Sequence, residues 1–159
     1  MIDIKISYFY QIRNFLPNMI PLSTAMGDPA WFHNFTYDKN YQFKDKRGIW
    51  NGIRAEIFNP SKVKAPDGGC RVCEVKRKNC DFKQKYKEYL DTLDFEDIMQ
   101  RFYKLNQQIQ KQEHTDIDYT FVLIVHEAPS NPCSERHFLI QWFQEHNYPL
   151  SELHYPIQN

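Results

Sequence analysis

The run Tyr119-Thr120-Phe121-Val122-Leu123-Ile124-Val125 constrains this chain more than any other feature. Residues that favour extended backbone follow one another there without polar alternation, so both faces of the strand must be covered. Such a strand belongs inside a parallel sheet with layers above and below it. The expected fold class is therefore α/β, a three-layer sandwich with a small, mostly parallel sheet and flanking helices.

The rest of the chain supplies partners for that strand. Ile2, Ile4 and Ile6 alternate with Asp3, Lys5 and Ser7, a period of two that predicts a strand running into Tyr8. Met19 to Ser23 suits a second buried strand, provided Pro21 sits where no ladder donor is required. Asp28-Pro29 predicts a short helix carrying Trp31 and Phe32, with Asp28 as its cap. Phe82, Tyr86, Tyr89, Leu90 and Leu93 recur at helical spacing, and Phe95, Ile98, Met99, Phe102, Leu105 and Ile109 do so again after the natural cap Asp94. A last helix is expected from about Cys133 to Asn147, and an edge strand within Leu150 to Tyr155. Between residues 34 and 80 the pattern dissolves, which predicts an irregular insertion or lid within a single domain spanning residues 1–159.

Size and composition fit this picture. A chain of 159 residues buries roughly 70% of its unfolded surface as one domain. No apolar run reaches the roughly 18 residues of a membrane span, and the opening MIDIKISYFY lacks a signal pattern. Lys and Arg total 20 against 20 Asp and Glu, so a general polyanion binder is not expected, although a local basic patch is compatible with neutrality. Cys70, Cys73 and Cys80 are too clustered for a secreted disulfide framework. A reduced, cytoplasmic protein without membrane contact is the expectation.

The sharpest candidate site is the segment from Val125 through His126, Glu127 and Cys133 to Arg136, where a central strand ends and a helix begins. Ligands of open parallel sheets sit outside the carboxyl ends of strands. Free N–H groups and the helix dipole favour anions there. Ser134 and Arg136 would add donors, Cys133 could become a thiolate nucleophile, and Glu127 could move a proton or bind a ribose hydroxyl. The same residues also read as ordinary capping and packing. On the same rim, Ser7, Tyr8, Ser23 and Thr24 would offer hydroxyls to a ligand, or simply end their strands.

Two further constellations lie in the insertion. Cys70 and Cys73, two residues apart with Cys80 beyond, could grip zinc, but a fourth ligand is missing nearby, and free thiols or a disulfide are the alternatives. Arg71, Lys76, Arg77 and Lys78, with Arg54, Trp50, Tyr37, Tyr41 and Phe43, interleave charge with aromatic rings as a nucleobase clasp would. Solvated loop charges over packed rings would read identically. Metalloprotease, Walker-type and Gly-x-Gly-x-x-Gly motifs do not occur.

The segments Ser7-Tyr8-Phe9, Leu16-Pro17-Asn18-Met19-Ile20-Pro21-Leu22-Ser23 and Asp28-Pro29-Ala30-Trp31-Phe32 resemble the opening of one branch of the family catalogued as domain of unknown function 488. Val122 to Pro129 followed by Cys133 to Trp142 is similar to that family's second conserved half. The likeness spans about two thirds of the chain and omits the insertion. It implies a small α/β sandwich of unassigned activity in which Ser7, Ser23, Glu127, Cys133 and Arg136 line one pocket. Two departures count against Cys–His catalysis: Ser134-Glu135 stands where the family has a His, and Val125 where it has a Cys. The variant is also similar to sequences of phage genomes, which implies a role against host defence.

The expected function is binding of an anionic, nucleotide-like small molecule at the carboxyl rim, sequestering a host immune signal if the source is viral. An enzyme cleaving or transferring a nucleotide or glycosyl bond through Glu127 or Cys133 is the alternative, with a nucleic-acid-binding module behind it.

Overall fold

The computed structural model describes residues 2–32, 44–50, 52–62, 81–130 and 134–155, without the side chains of 62 and 81–83. Cys70, Cys73, Cys80, Cys133, Arg71, Lys76, Arg77, Lys78, Tyr37, Tyr41 and Phe43 lie outside the described residues.

Five strands form one all-parallel sheet: β1 (Asp3–Tyr8), β2 (Met19–Ser23), β3 (Ile53–Arg54), β4 (Thr120–Val125) and β5 (Ser151–Glu152). Their order is β3-β2-β4-β1-β5. The α/β class read from the sequence is thus the class observed. As its uninterrupted apolar run requires, β4 is central, and every residue in it is buried. Its neighbours register against it from end to end, Asp3 opposite Thr120 on one side and Met19 opposite Thr120 on the other. Pro21 is tolerated in β2 for a local reason. The Ser23 carbonyl accepts from Ala55 N–H on the β3 side, and a period of two points the Pro21 nitrogen the same way. β3 begins only opposite Leu22, so no donor is required there.

The three helices are α1 (Asp81–Asp91), α2 (Phe95–Glu113) and α3 (Arg136–Glu145). Asp94 caps α2 by accepting from Asp97 N–H at 3.2 Å, as expected. His114 in left-handed conformation ends that helix. Leu90, Ile98, Phe102, Leu139 and Trp142 from these helices share one core with Ile4, Ile6, Phe121, Leu123 and Val125 of the sheet. The opposite face, Val122 and Ile124, is covered by Phe9, Ile12 and Phe15 around a 3₁₀ turn (Phe9–Asn14), together with Ala25, Phe32 and Ile49. Among the described residues that third layer is a 3₁₀ turn and loops, not α-helices. Right-handed crossovers account for the division. Connections running from β1 toward β2 and β3 cover one face, and those returning through α1, α2 and α3 cover the other.

Two local readings change. Pro29 to Phe32 is a turn closed by Phe32 N–H donating to the Pro29 carbonyl at 2.9 Å, not a helix. The stretch read as an insertion also contributes β3 to the sheet and Trp50 and Phe58 to the main core. Trp50 is therefore a core side chain, 1% exposed. Among the described residues no helix is long and apolar enough to cross a membrane.

The fold makes a direct stability prediction. Leu123 is fully buried in the central strand, whereas Leu16 is 57% exposed. Leu123→Ala is expected to cost about 2–5 kcal/mol of unfolding free energy. Leu16→Ala should cost less than about 0.5 kcal/mol, both read from urea midpoints.

Candidate functional site

β1 and β4 are adjacent, yet their connections leave to opposite faces, the first through the 3₁₀ turn and the second through α3. The crevice outside their carboxyl ends is the topological switch point, where open α/β sheets place ligands. Most of the rim residues singled out in the sequence converge on it. The structure assigns them work different from the expected one.

On the α3 side the crevice is organised by Arg136, which is 1% exposed. Its Nη1 donates to the Glu127 carbonyl at 2.6 Å and its Nη2 to the Ser7 carbonyl at 3.3 Å. Its Nε lies 2.9 Å from Glu152 Oε1, an ion pair whose N–H is not aimed along the contact. The Tyr8 ring lies 5.6 Å from the guanidinium carbon. The expectation of a guanidinium presented to an incoming anion is thereby corrected, because this cation is enclosed and committed to its own chain. Ser134 is buried, and its Oγ accepts from Arg136 N–H at 3.3 Å. The position before α3 is Glu135, whose side chain makes no capping bond.

Three carboxyls surround this one cation: Glu127, Glu135 and Glu152. Burial raises Glu135 from its ordinary 4.5 to about 7, helped by the charge of Glu127 and a side-chain hydrogen bond with it. Burial likewise pushes Glu152 up to about 7, although Arg136 pulls the other way. Arg136 itself is held below its ordinary value by burial, against the favourable charges of Glu152, Glu127 and Glu135. The second Glu127 oxygen is buried without a hydrogen-bond partner. Glu135 thus sits beside a second carboxyl in a poorly solvated site, an arrangement that favours its protonated form. Glu127 was visible in the sequence at the strand end. Glu135 and Glu152 were not singled out, and the only signal for them was three acids flanking one arginine across a strand–helix–strand unit.

The rim hydroxyls are also committed. Ser7 Oγ donates to the Leu153 carbonyl at 2.6 Å and Thr24 Oγ1 to the Ile124 carbonyl at 3.0 Å, while Ser23 Oγ donates to Asp28. Ser7, Ser23 and Thr24 are fully buried. They tie strand ends, so the packing reading describes them. Tyr8 is different: its hydroxyl accepts from Gln11 Nε2 at 2.8 Å and meets His154 Nδ1 at 3.0 Å at the surface. Arg54 is bracketed by Asp28 and Glu56, each at 2.7 Å, and donates to the Ala25 carbonyl at 2.8 Å. It locks β3 to the loop after β2. Among the described residues no group of three His, Cys, Asp or Glu could hold a metal ion.

Across the crevice, on the 3₁₀ side, lies a cavity of about 410 Å³ lined by Phe9, Ile12, Arg13, Trp31, Asp45, Arg47 and Ile49. It reaches the rim at Phe9, whose ring stands 4.9 Å from His126 at the end of β4 and 6.1 Å from Trp31. Trp31 is 50% exposed, whereas Trp50 and Trp142 are buried. Arg47 is held by a tight turn. Asp45 Oδ2 accepts from its Nε at 2.9 Å and its Nη2 at 2.7 Å, and Nη1 donates to the Arg13 carbonyl at 2.6 Å. Gly48, at φ +78°, closes that turn by donating to the Asp45 carbonyl, a conformation that suits glycine. Sequence reading put Trp31 on the short segment after Asp28-Pro29 and singled out neither it nor Arg13 and Arg47 as site residues, because only the fold brings these segments together. A second, more apolar cavity of about 250 Å³ lies between β3 and α2 and includes Leu22, Ile53, Ile98 and Phe102.

The carboxyl pair predicts a pH dependence with a definite sign. Folded Glu135 holds its proton up to about pH 7, against the ordinary 4.5 of an unfolded chain. Between those values the folded state binds more protons, so stability present below pH 4.5 is lost as pH rises through 7. Glu152 acts in the same direction. Glu135→Gln should remove about 2 kcal/mol of the difference in unfolding free energy between pH 5 and pH 8, measured by urea denaturation.

Comparison with protein-family models, with curated proteins and with solved structures finds no match to this chain.

Proposed function

We propose that this protein binds an anionic, nucleotide-like small molecule beside the carboxyl ends of β1 and β4, in the cavity bounded by Trp31, Phe9, Arg13 and Arg47. The observation that carries this reading is the pairing of a half-exposed indole with two guanidiniums around a space of about 410 Å³. That volume falls within the range of small-molecule sites. A flat heterocycle stacks on Trp31, and a phosphate meets Arg13 and Arg47 with charge-assisted hydrogen bonds. Asp45 holds Arg47 in place beforehand, which lowers the ordering cost of binding. If the protein is viral, holding such a molecule without turning it over would withdraw a signal from its host.

One observation favours the enzymatic alternative, in which Glu127 serves glycosyl or nucleotide bond cleavage. A carboxyl raised by burial to about 7, Glu135, beside Glu127 is suited to proton transfer at neutral pH. The two readings separate in one assay. Binding alone returns the nucleotide intact after denaturation, whereas an enzyme returns product, and loses that product in Glu127→Gln.

Trp31 is the exposed indole, so its fluorescence reports occupancy. Titration with adenosine 5′-monophosphate should change that emission. Adenosine, lacking the phosphate, should bind about tenfold or more weakly. Arg13→Ala and Arg47→Ala should each weaken the nucleotide by a similar factor without moving the urea midpoint, because both side chains are exposed. Equal affinity for nucleotide and nucleoside would refute the reading.

A further inference from the structure

We infer that the ligand of this cavity carries two flat rings joined through a phosphate, a dinucleoside phosphate and not a mononucleotide. The inference rests on the proposed nucleotide reading and extends it from one observation not used there. Tyr10 is 53% exposed, and the Arg13 guanidinium lies over its ring at 3.7 Å from the centroid. Arg13 Nε also donates to the Tyr10 carbonyl at 2.9 Å, so the stacked geometry is held by a hydrogen bond as well as by cation–π attraction. Arg13 simultaneously lines the cavity that Trp31 bounds. One guanidinium therefore rests on an exposed tyrosine and lines the same cavity as an exposed indole, each ring on a short segment tied to the sheet through Phe9. Phe9 precedes Tyr10 in the chain and touches Trp31 edge-on at 6.1 Å.

A mononucleotide would use the indole and the cation and leave the Tyr10–Arg13 surface bare. A second base covers it, stacking on the tyrosine or on the outer plane of the guanidinium, as bases do on aromatic and arginine planes. The bridging phosphate then lies beside Arg13. That phosphate carries one charge, and among the described residues Arg13 makes no ion pair with a carboxylate. Stacking alone discriminates little between bases, so the site selects ring number and spacing more than base identity.

The test titrates the intact protein with adenosine 5′-monophosphate, with adenylyl-(3′→5′)-adenosine (ApA) and with an octa-adenylate strand, reading Trp31 emission. ApA is expected to bind roughly 5- to 100-fold tighter than the mononucleotide. Tyr10→Ala should abolish that advantage, bringing the ratio of ApA to mononucleotide affinity to about one. Tyr10→Phe, which keeps the stacking face, should retain it. Mononucleotide binding with no gain for ApA, or a gain that survives Tyr10→Ala, overturns this inference and leaves the parent reading standing. Failure of both compounds to bind overturns the parent reading as well. Octa-adenylate binding more than tenfold tighter than ApA overturns the free-dinucleotide form and assigns the surface to single-stranded nucleic acid.

Discussion

The guanidinium of Arg136 is the interaction on which the carboxyl end of the sheet depends. A buried charge is tolerated only where its hydrogen-bonding groups are met and an opposite charge is close. Arg136 satisfies that demand from three separate segments: the end of β1 through Ser7, the loop after β4 through Glu127, and β5 through Glu152. The two residues of β5 would make a weak edge on backbone pairing alone, and this ion pair adds a side-chain anchor. The loop between β4 and α3 is fixed at its start by the same cation. With three carboxyls around this one cation, neutrality requires two of them to be protonated, and burial raises both Glu135 and Glu152 to about 7.

The order of strands sets what can happen on each side of this knot. The crossovers from β1 and from β4 run in opposite directions along the sheet, so the crevice they share is bounded by α3 on one face and by the 3₁₀ turn on the other. The α3 face is filled by the protein's own ionic groups. The 3₁₀ face carries the cavity, lined by residues of a short turn and of loops, while Val122 and Ile124 beneath it are as fully buried as Phe121 and Leu123 on the other face. The sequence places a ligand at the helix that begins after β4, by the general attraction of anions to helix N-termini. The fold instead seats a buried acid, Glu135, at that position, and it makes no side-chain capping bond.

Legibility followed the range of the interaction. β4, α2 with its Asp94 cap, α3 and the final edge strand could be read from the sequence, because hydrophobic period and capping are encoded within a few neighbouring residues. The two-residue β3 was not readable, since it is a strand only by virtue of pairing with Leu22 and Ser23. The hydroxyls of Ser7, Ser23 and Thr24 were correctly placed at strand ends, but whether they faced a ligand or their own chain depended on Leu153, Asp28 and Ile124. Arg136 shows the limit most clearly. Its position in the first turn of α3 was legible, whereas the direction of its side chain was decided by Glu152, sixteen residues on.

A neutral protein can still present a local positive field, and the arginines show how. Arg54 has Asp28 and Glu56 against it, Arg136 has Glu152 with Glu127 and Glu135 close by, and Arg101 has Asp97 on its own helix. Each is compensated, so none attracts a further anion strongly. Arg47 is compensated once, by Asp45, in a geometry that orients its guanidinium without enclosing it. Arg13 rests on an aromatic face, which stabilises a cation without cancelling its charge. Among the described residues, Arg13 and Arg47 line one cavity with Trp31 and with Asp45, the carboxylate that pairs with Arg47. Net charge reports the sum over the chain, whereas an anion responds to the few ångströms around one unpaired guanidinium, and screening over about 10 Å removes most of the rest.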